Sequence, residues 1–231
     1  MLPLKDDNPT ARTPVLTWLL IAVNTVVFAV QLFAPPVTSE NMVRIFALVP
    51  LHFSDGSLAW GVFTLFSSQF LHGSVAHLGG NMLYLWIFGN NIEDHLGRVR
   101  FLPFYLGCGA AAGLAHVLSG PSSTVPTIGA SGAIAGILGA YVALFPRARI
   151  HTLILLPLFI QIVKVSAMVW LGFWFVLQIA FAVLSDVSAG GVAWYAHAGG
   201  FAFGFLAIRA FRSRPRRRVS YPEFEGRTWA G

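Results

Sequence analysis

Charge is what this chain has least of. Asp, Glu, Lys and Arg make up 10% of its 231 residues, against 56% hydrophobic ones. A soluble domain carries about 25% charged residues, because its surface must be wetted. So small a polar complement excludes an ordinary water-soluble globule, and lipid is the solvent that fits. Cysteine is almost absent as well. Cys108 stands alone in an apolar Gly/Ala-rich run, which excludes an intrachain disulfide and a cysteine-based metal site and leaves packing as its role. The first 14 residues lack a small-residue cleavage site after a short apolar stretch, so Val15–Phe33 is expected to be an anchor and not a removable signal.

What the chain has in quantity is apolar length. A spanning helix needs roughly 20 mostly apolar residues. Six stretches approach that length: Val15–Phe33, His77–Ile92, Phe101–Leu118, Ile128–Phe145, Ser166–Leu184 and Val192–Phe211. The expected fold is therefore all-α, a polytopic membrane bundle of six transmembrane helices over residues 15–211. Residues 1–14 form a cytoplasmic N-terminal tail and 212–231 a basic cytoplasmic C-terminal tail. Ala34–Ala76 is a long outer connection between the first two helices. Its runs Ile45–Leu51 and Leu58–Leu71 are apolar and aromatic, so Trp60, Phe63, Phe66 and Phe70 are expected to face acyl chains. The run Leu153–Val163 contains Pro157 and is too short to span; it is expected to be interfacial or re-entrant. Asp94 and Arg98, four apart, are expected to pair.

Orientation follows from the cations. The net charge is +6, and seven of fifteen Lys and Arg lie beyond Ile208. Lys5, Arg12, Arg98, Arg100, Arg147, Arg149 and the basic tail fall on one side if six spans alternate. Arg44 alone marks the other. The basic side is the cytoplasm, with both termini inside, and a bacterial plasma membrane is the expected location. The tail directly follows an apolar span, so it fits topology or anionic lipid better than nucleic acid, and no nucleic-acid partner is expected.

Polar residues inside spans are expensive, and each asks for a reason. His77 and Asn81, Ser131, and His197 fall in the second, fourth and sixth spans, all near the outer end. A serine hydroxyl needs a base, and its substrate needs room; Gly129 and Gly132 flank Ser131 and clear that room. Ser131 also lies in the first turns of its span, where unpaired amides at a helix N-terminus could receive an oxyanion. Gly132, Gly136 and Ala140 equally make a small-residue packing face. His197 sits among Ala196, Ala198, Gly199 and Gly200, so its helix can press against a neighbour. A neutral imidazole there can take the serine proton and return it to a leaving amine. A packed histidine or a proton relay is the plainer alternative. No carboxylate lies at that depth, so a Ser–His dyad is expected. His77 and Asn81 share one helix face and could donate to an oxyanion, or simply cap and bridge helices. No His-Glu-x-x-His is present and no acid accompanies the pair, so neither a metal nor a cofactor is expected.

Taken together, His72-Gly-Ser-Val-Ala-His77-Leu-Gly-Gly-Asn81, Gly129-Ala130-Ser131-Gly132 and Ala196-His197-Ala198-Gly199-Gly200 with Gly204 resemble the rhomboid family of intramembrane serine proteases, in its order and on its spans. The resemblance implies Ser131 as nucleophile and His197 as base and acid. It implies His77, Asn81 and the Ser131 backbone N–H as oxyanion donors. Substrates would be transmembrane helices that unwind near the outer face. The fifth helix, with Trp170, Phe173, Trp174 and Phe181, would be their lateral entry, unless those aromatics only pack. Two positions depart from the pattern. Phe63-Thr64 stands where members often carry Trp-Arg, and Ala135 stands where some carry a tyrosine that stacks on the histidine. A rhomboid-like binder of membrane helices without activity is the alternative from another class, and a transporter ranks behind it. Oligomeric state is not readable from the sequence.

Overall fold

The computed structural model of the chain describes residues 2–156, 159–184 and 192–211. Among them helices dominate: α1 (Val15–Phe33), α2 (Pro36–Phe46), α3 (Leu58–Ser67), α4 (Val75–Tyr84), α5 (Asn90–Leu96), α6 (Arg98–Ser119), α7 (Ser131–Leu144), α8 (Ala167–Leu184) and α9 (Trp194–Ala207). A π-helical turn, Leu85–Gly89, carries α4 straight into α5. Of these, α1, α6 and α8 are long and apolar enough to cross a membrane. α7 is apolar but has only 14 residues, about 21 Å at 1.5 Å per residue.

The helix starts and stops have local causes. α1 has no side-chain cap of its own. Its first amides, Leu16 and Thr17, donate to Glu93 at 3.0 and 2.8 Å, and the Thr17 hydroxyl adds a third bond at 2.8 Å. A carboxylate there meets both the orphan N–H groups and the positive end of the helix dipole. That explains why Glu93 tolerates being 3% exposed. Gly97, at φ +75°, separates α5 from α6; only glycine adopts that conformation without strain. The break removes the helical spacing between Asp94 and Arg98, and the Asp94 carboxylate instead accepts the Ala11 amide at 3.1 Å.

α7 is the axis of the bundle, with every residue from Gly132 to Val142 buried. It packs on α6 and α9 through small residues. A Cβ on Gly200 would strike the Gly132 carbonyl, one on Gly204 the Gly136 carbonyl, and one on Gly139 the Phe201 carbonyl. Backbones in lipid associate by such close approach, since apolar side chains gain nothing over acyl chains. Cys108 is free and buried against Gly136.

The all-helical expectation holds for the bundle but leaves out a small sheet. Strands β1 (Leu2–Asp6), β2 (Arg149–Leu156) and β3 (Phe159–Ser166) form an antiparallel sheet in the order β1-β2-β3. β2 and β3 are in register from Arg149↔Ser166 to Leu156↔Phe159. The segment expected to be interfacial or re-entrant is therefore a β-hairpin; Pro157 itself lies outside the described residues. Thr152, Ile154, Ile160, Ile162, Val163 and Val165 are β-branched and suit a pleated surface better than a helix. The segment expected to be a tail supplies β1. Asp6 fastens it, accepting hydrogen bonds from Asn91 Nδ2 at 2.9 Å and from the Tyr141 hydroxyl. The sheet meets the bundle at the C-terminal end of α7, opposite Ser131.

Candidate active site

Ser131 is the first residue of α7, and no side chain caps the amides of that turn. The chain reaches it through a descending segment pinned on both sides. Leu48 and Thr127 exchange backbone bonds at 3.0 and 2.8 Å, and the Gly129 amide donates to the Ser68 carbonyl at 2.9 Å. Thr127 Oγ1 also lies 2.9 Å from His116 Nε2. Gly129 has φ +129°, and a Cβ there would sit 2.8 Å from His77 Nε2. Glycine is needed twice over, for the backbone angle and for the ring above it.

His197 approaches from α9. Its Nε2 lies 2.8 Å from Ser131 Oγ, and its Nδ1 lies 2.8 Å from Gln178 Oε1 on α8. The rings of Trp174 and Trp194 flank the imidazole, with centroids 6.0 and 6.1 Å away. Close packing of α7 and α9 through their glycines sets the serine–histidine distance.

α4 brings the other two groups. Ser74 Oγ caps α4 by accepting the His77 amide at 3.1 Å, so the cap is not made by the imidazole. His77 Nδ1 receives the Gly73 amide in a long contact of 3.5 Å, which leaves Nε2 to carry the ring proton on the side of Gly129. Asn81, one turn on, is 8% exposed, and its Nδ2 has no hydrogen-bond partner among the described residues. Buried donors are rarely left so. Ser131, His197, His77 and Asn81 all line one cavity of about 650 Å³. Among the described residues no group of His, Cys, Asp and Glu could hold a metal ion.

The four aromatic residues of α8 separate. Trp174 lines the cavity. Trp170 is buried against Tyr84, with centroids 5.9 Å apart, and Phe181 packs on Trp194 at 4.8 Å. Phe173 points outward and is 56% exposed. Thr64 and Ala135, at the two departures from pattern, are both buried. The Thr64 hydroxyl donates to the Gly61 carbonyl, and Gln69 Nε2 ties the α2–α3 region to α6 by donating to the Leu106 carbonyl at 3.3 Å.

His72, just before α4, is buried, with its ring centroid 5.1 Å from that of His77. Burial first, and then the neighbouring His77, push its pKa down to about 4. Sequence reasoning missed Gln178. The signal was available, since it is the one polar side chain in Ala167–Leu184.

The sequence profile of the Rhomboid domain matches residues 59–214. The chain belongs to the rhomboid family. Similar proteins include the Rhomboid protease GluP of Bacillus subtilis, 35% identical over 58% of this chain and 26% of that protein. Rhomboid protein 1, mitochondrial, of Saccharomyces cerevisiae is 37% identical over 38% of this chain and 26% of its own length. The human Presenilin-associated rhomboid-like protein, mitochondrial, is 31% identical over 61% of this chain and 35% of its own length. The chain thus spans about a quarter to a third of these rhomboid relatives. With its three spanning-length helices, this rhomboid is a multi-pass membrane protein.

Proposed function

We propose that this rhomboid is an intramembrane serine endopeptidase that cleaves transmembrane helices of other proteins. The observation that carries the reading is the 2.8 Å contact between Ser131 Oγ and His197 Nε2, inside a cavity that Asn81 and His77 also line. His197 takes the serine proton as Oγ attacks a peptide carbonyl. The Ser131 amide, Asn81 Nδ2 and His77 Nε2 receive the negative charge that develops on the carbonyl oxygen. His197 then protonates the leaving amine, and water resolves the acyl-enzyme by the same route in reverse.

The proposed setting is a six-helix bundle in a bacterial plasma membrane, with both termini cytoplasmic and the α2–α3 region outside. The basic residues at the sheet end support that orientation. α7 is shorter than the roughly 30 Å hydrocarbon core, so its N-terminus stands recessed, and a water-filled cavity there admits an unwound substrate. Entry passes α8, beside Trp170, Phe173, Trp174 and Phe181.

Purified full-length protein in lipid is exposed to a fluorophosphonate and to a panel of single-span substrates, with cuts mapped by mass spectrometry. Wild-type protein is expected to label and cleave. Ser131→Ala abolishes both, and His197→Ala slows both by on the order of 10⁶-fold, the scale of loss when the general base of a serine protease is removed. Folded wild-type protein that binds helices yet neither labels nor cleaves overturns the protease reading in favour of a binder.

A further inference from the structure

α8 is apolar from end to end except for Gln178, which is 5% exposed. A lone amide in such a helix is costly unless its donors and acceptor are placed. Its Nε2 donates to the Trp174 carbonyl at 3.3 Å, one turn back in α8. A carbonyl only accepts, so the NH₂ end of the amide must face it, and the orientation of the group is decided. Oε1 therefore faces His197 Nδ1 at 2.8 Å. An amide oxygen only accepts, so Nδ1 carries the proton. The lone pair is then on Nε2, the nitrogen 2.8 Å from Ser131 Oγ.

We infer that Gln178 is the positioning residue of the site: it holds His197 in the Nδ1–H tautomer and aims Nε2 at the serine hydroxyl. The inference rests on the protease reading for its catalytic consequence. The flanking rings of Trp174 and Trp194 limit the tilt of the imidazole but do not choose which nitrogen is protonated. Gln178 makes that choice. An amide does so without a buried charge, which a carboxylate in an apolar bundle would have to bring. When His197 accepts the serine proton, Oε1 keeps its bond to Nδ1–H and stabilises the imidazolium modestly. Among the described residues the other titratable groups lining the cavity are His77 and Tyr84, both on α4; neither has a hydrogen bond to Nδ1.

The test compares full-length wild type with Gln178→Leu, which keeps the bulk and removes the acceptor, and Gln178→Glu, which keeps the acceptor and adds charge. Each is read by cleavage kinetics against pH and by nitrogen NMR of ¹⁵N-histidine-labelled protein. For Gln178→Leu, kcat is expected to fall about 10- to 100-fold with KM little changed, short of the roughly 10⁴-fold loss when an orienting group imposes the wrong tautomer. Its acid limb moves to lower pH, because the imidazolium has lost an acceptor. Gln178→Glu moves that limb to higher pH and recovers part of the rate. In NMR the wild-type His197 shows a proton on Nδ1, and Gln178→Leu shifts the population toward Nε2–H. If Gln178→Leu fails to fold, Gln178→Met serves in its place. Wild-type rate, profile and tautomer in the acceptor-free variant overturn the inference, as do Leu and Glu variants that lose rate alike with unmoved pH limbs. A wild type that is inert yet shows the Nδ1–H tautomer sinks the protease reading and leaves the positioning contact standing.

Discussion

Asn81 keeps an amide donor inside a cavity with no acceptor for it among the described residues. A donor left unmatched in the ground state is suited to charge that appears only in the transition state. Asn81→Ala should therefore lower kcat by about 100- to 1,000-fold, some 2.7–4 kcal/mol of barrier. It should also leave thermal stability equal or slightly higher, because an unpaired buried polar group is removed. A variant that loses stability and keeps its rate would make Asn81 a bridging residue instead. His72 gives a second residue-scale expectation. Its pKa is about 4 in the folded protein against an ordinary 6.5, so below about 6.5 the unfolded chain binds a proton that the folded one refuses. Folded stability should fall as pH drops from about 6.5 toward 4, and His72→Phe should flatten that part of the curve in thermal unfolding in micelles. The polar residues of the site were legible in the sequence because each interrupts an apolar run. Gln178 obeyed the same rule and was overlooked because its partner is a side chain 19 residues away on another helix, which no local pattern announces.

At the scale of elements, the places of the helices were legible from apolar length, and the groups that hold their ends were not, because those partners come from afar. The start of α1 is stabilised by Glu93, 77 residues beyond Leu16. Glu93→Ala should cost about 2 kcal/mol or somewhat less, the range of a lost N-cap. The labelling rate of the molecules that remain folded should not change, since Glu93 is not part of the cavity lining. The expected reading is a lower unfolding temperature at constant fluorophosphonate rate; a changed rate at constant stability would refute it. The sheet escaped sequence reasoning for a different reason. A search for spans judges Leu153–Val163 only by its insufficient length, whereas its β-branched residues argue for pleated backbone. β1 is less legible still, because a five-residue strand has meaning only beside the partner it pairs with.

At the scale of the whole molecule, the central helix decides where the chemistry can sit. α7 is buried along nearly all of its length, so it need not match the bilayer, and in the proposed setting its 14 residues leave the serine recessed. The sheet closes the far end, where Tyr141 near the C-terminus of α7 holds Asp6 of β1. The site and the sheet are thus at opposite ends of one helix, and the proposed orientation puts them on opposite sides of the membrane. Cysteine scarcity makes this measurable. With Cys108→Ala as background, single cysteines are placed at Asp55, in the α2–α3 connection, and at Lys164, on β3, both exposed. In bacterial spheroplasts a membrane-impermeant maleimide should modify Asp55→Cys at once and Lys164→Cys only after lysis. Modification of both from the same side would mean that α7 does not separate two compartments. Modification in the reverse order would put the serine on the cytoplasmic face, where the positive-inside bias of the sheet end would have failed as a guide.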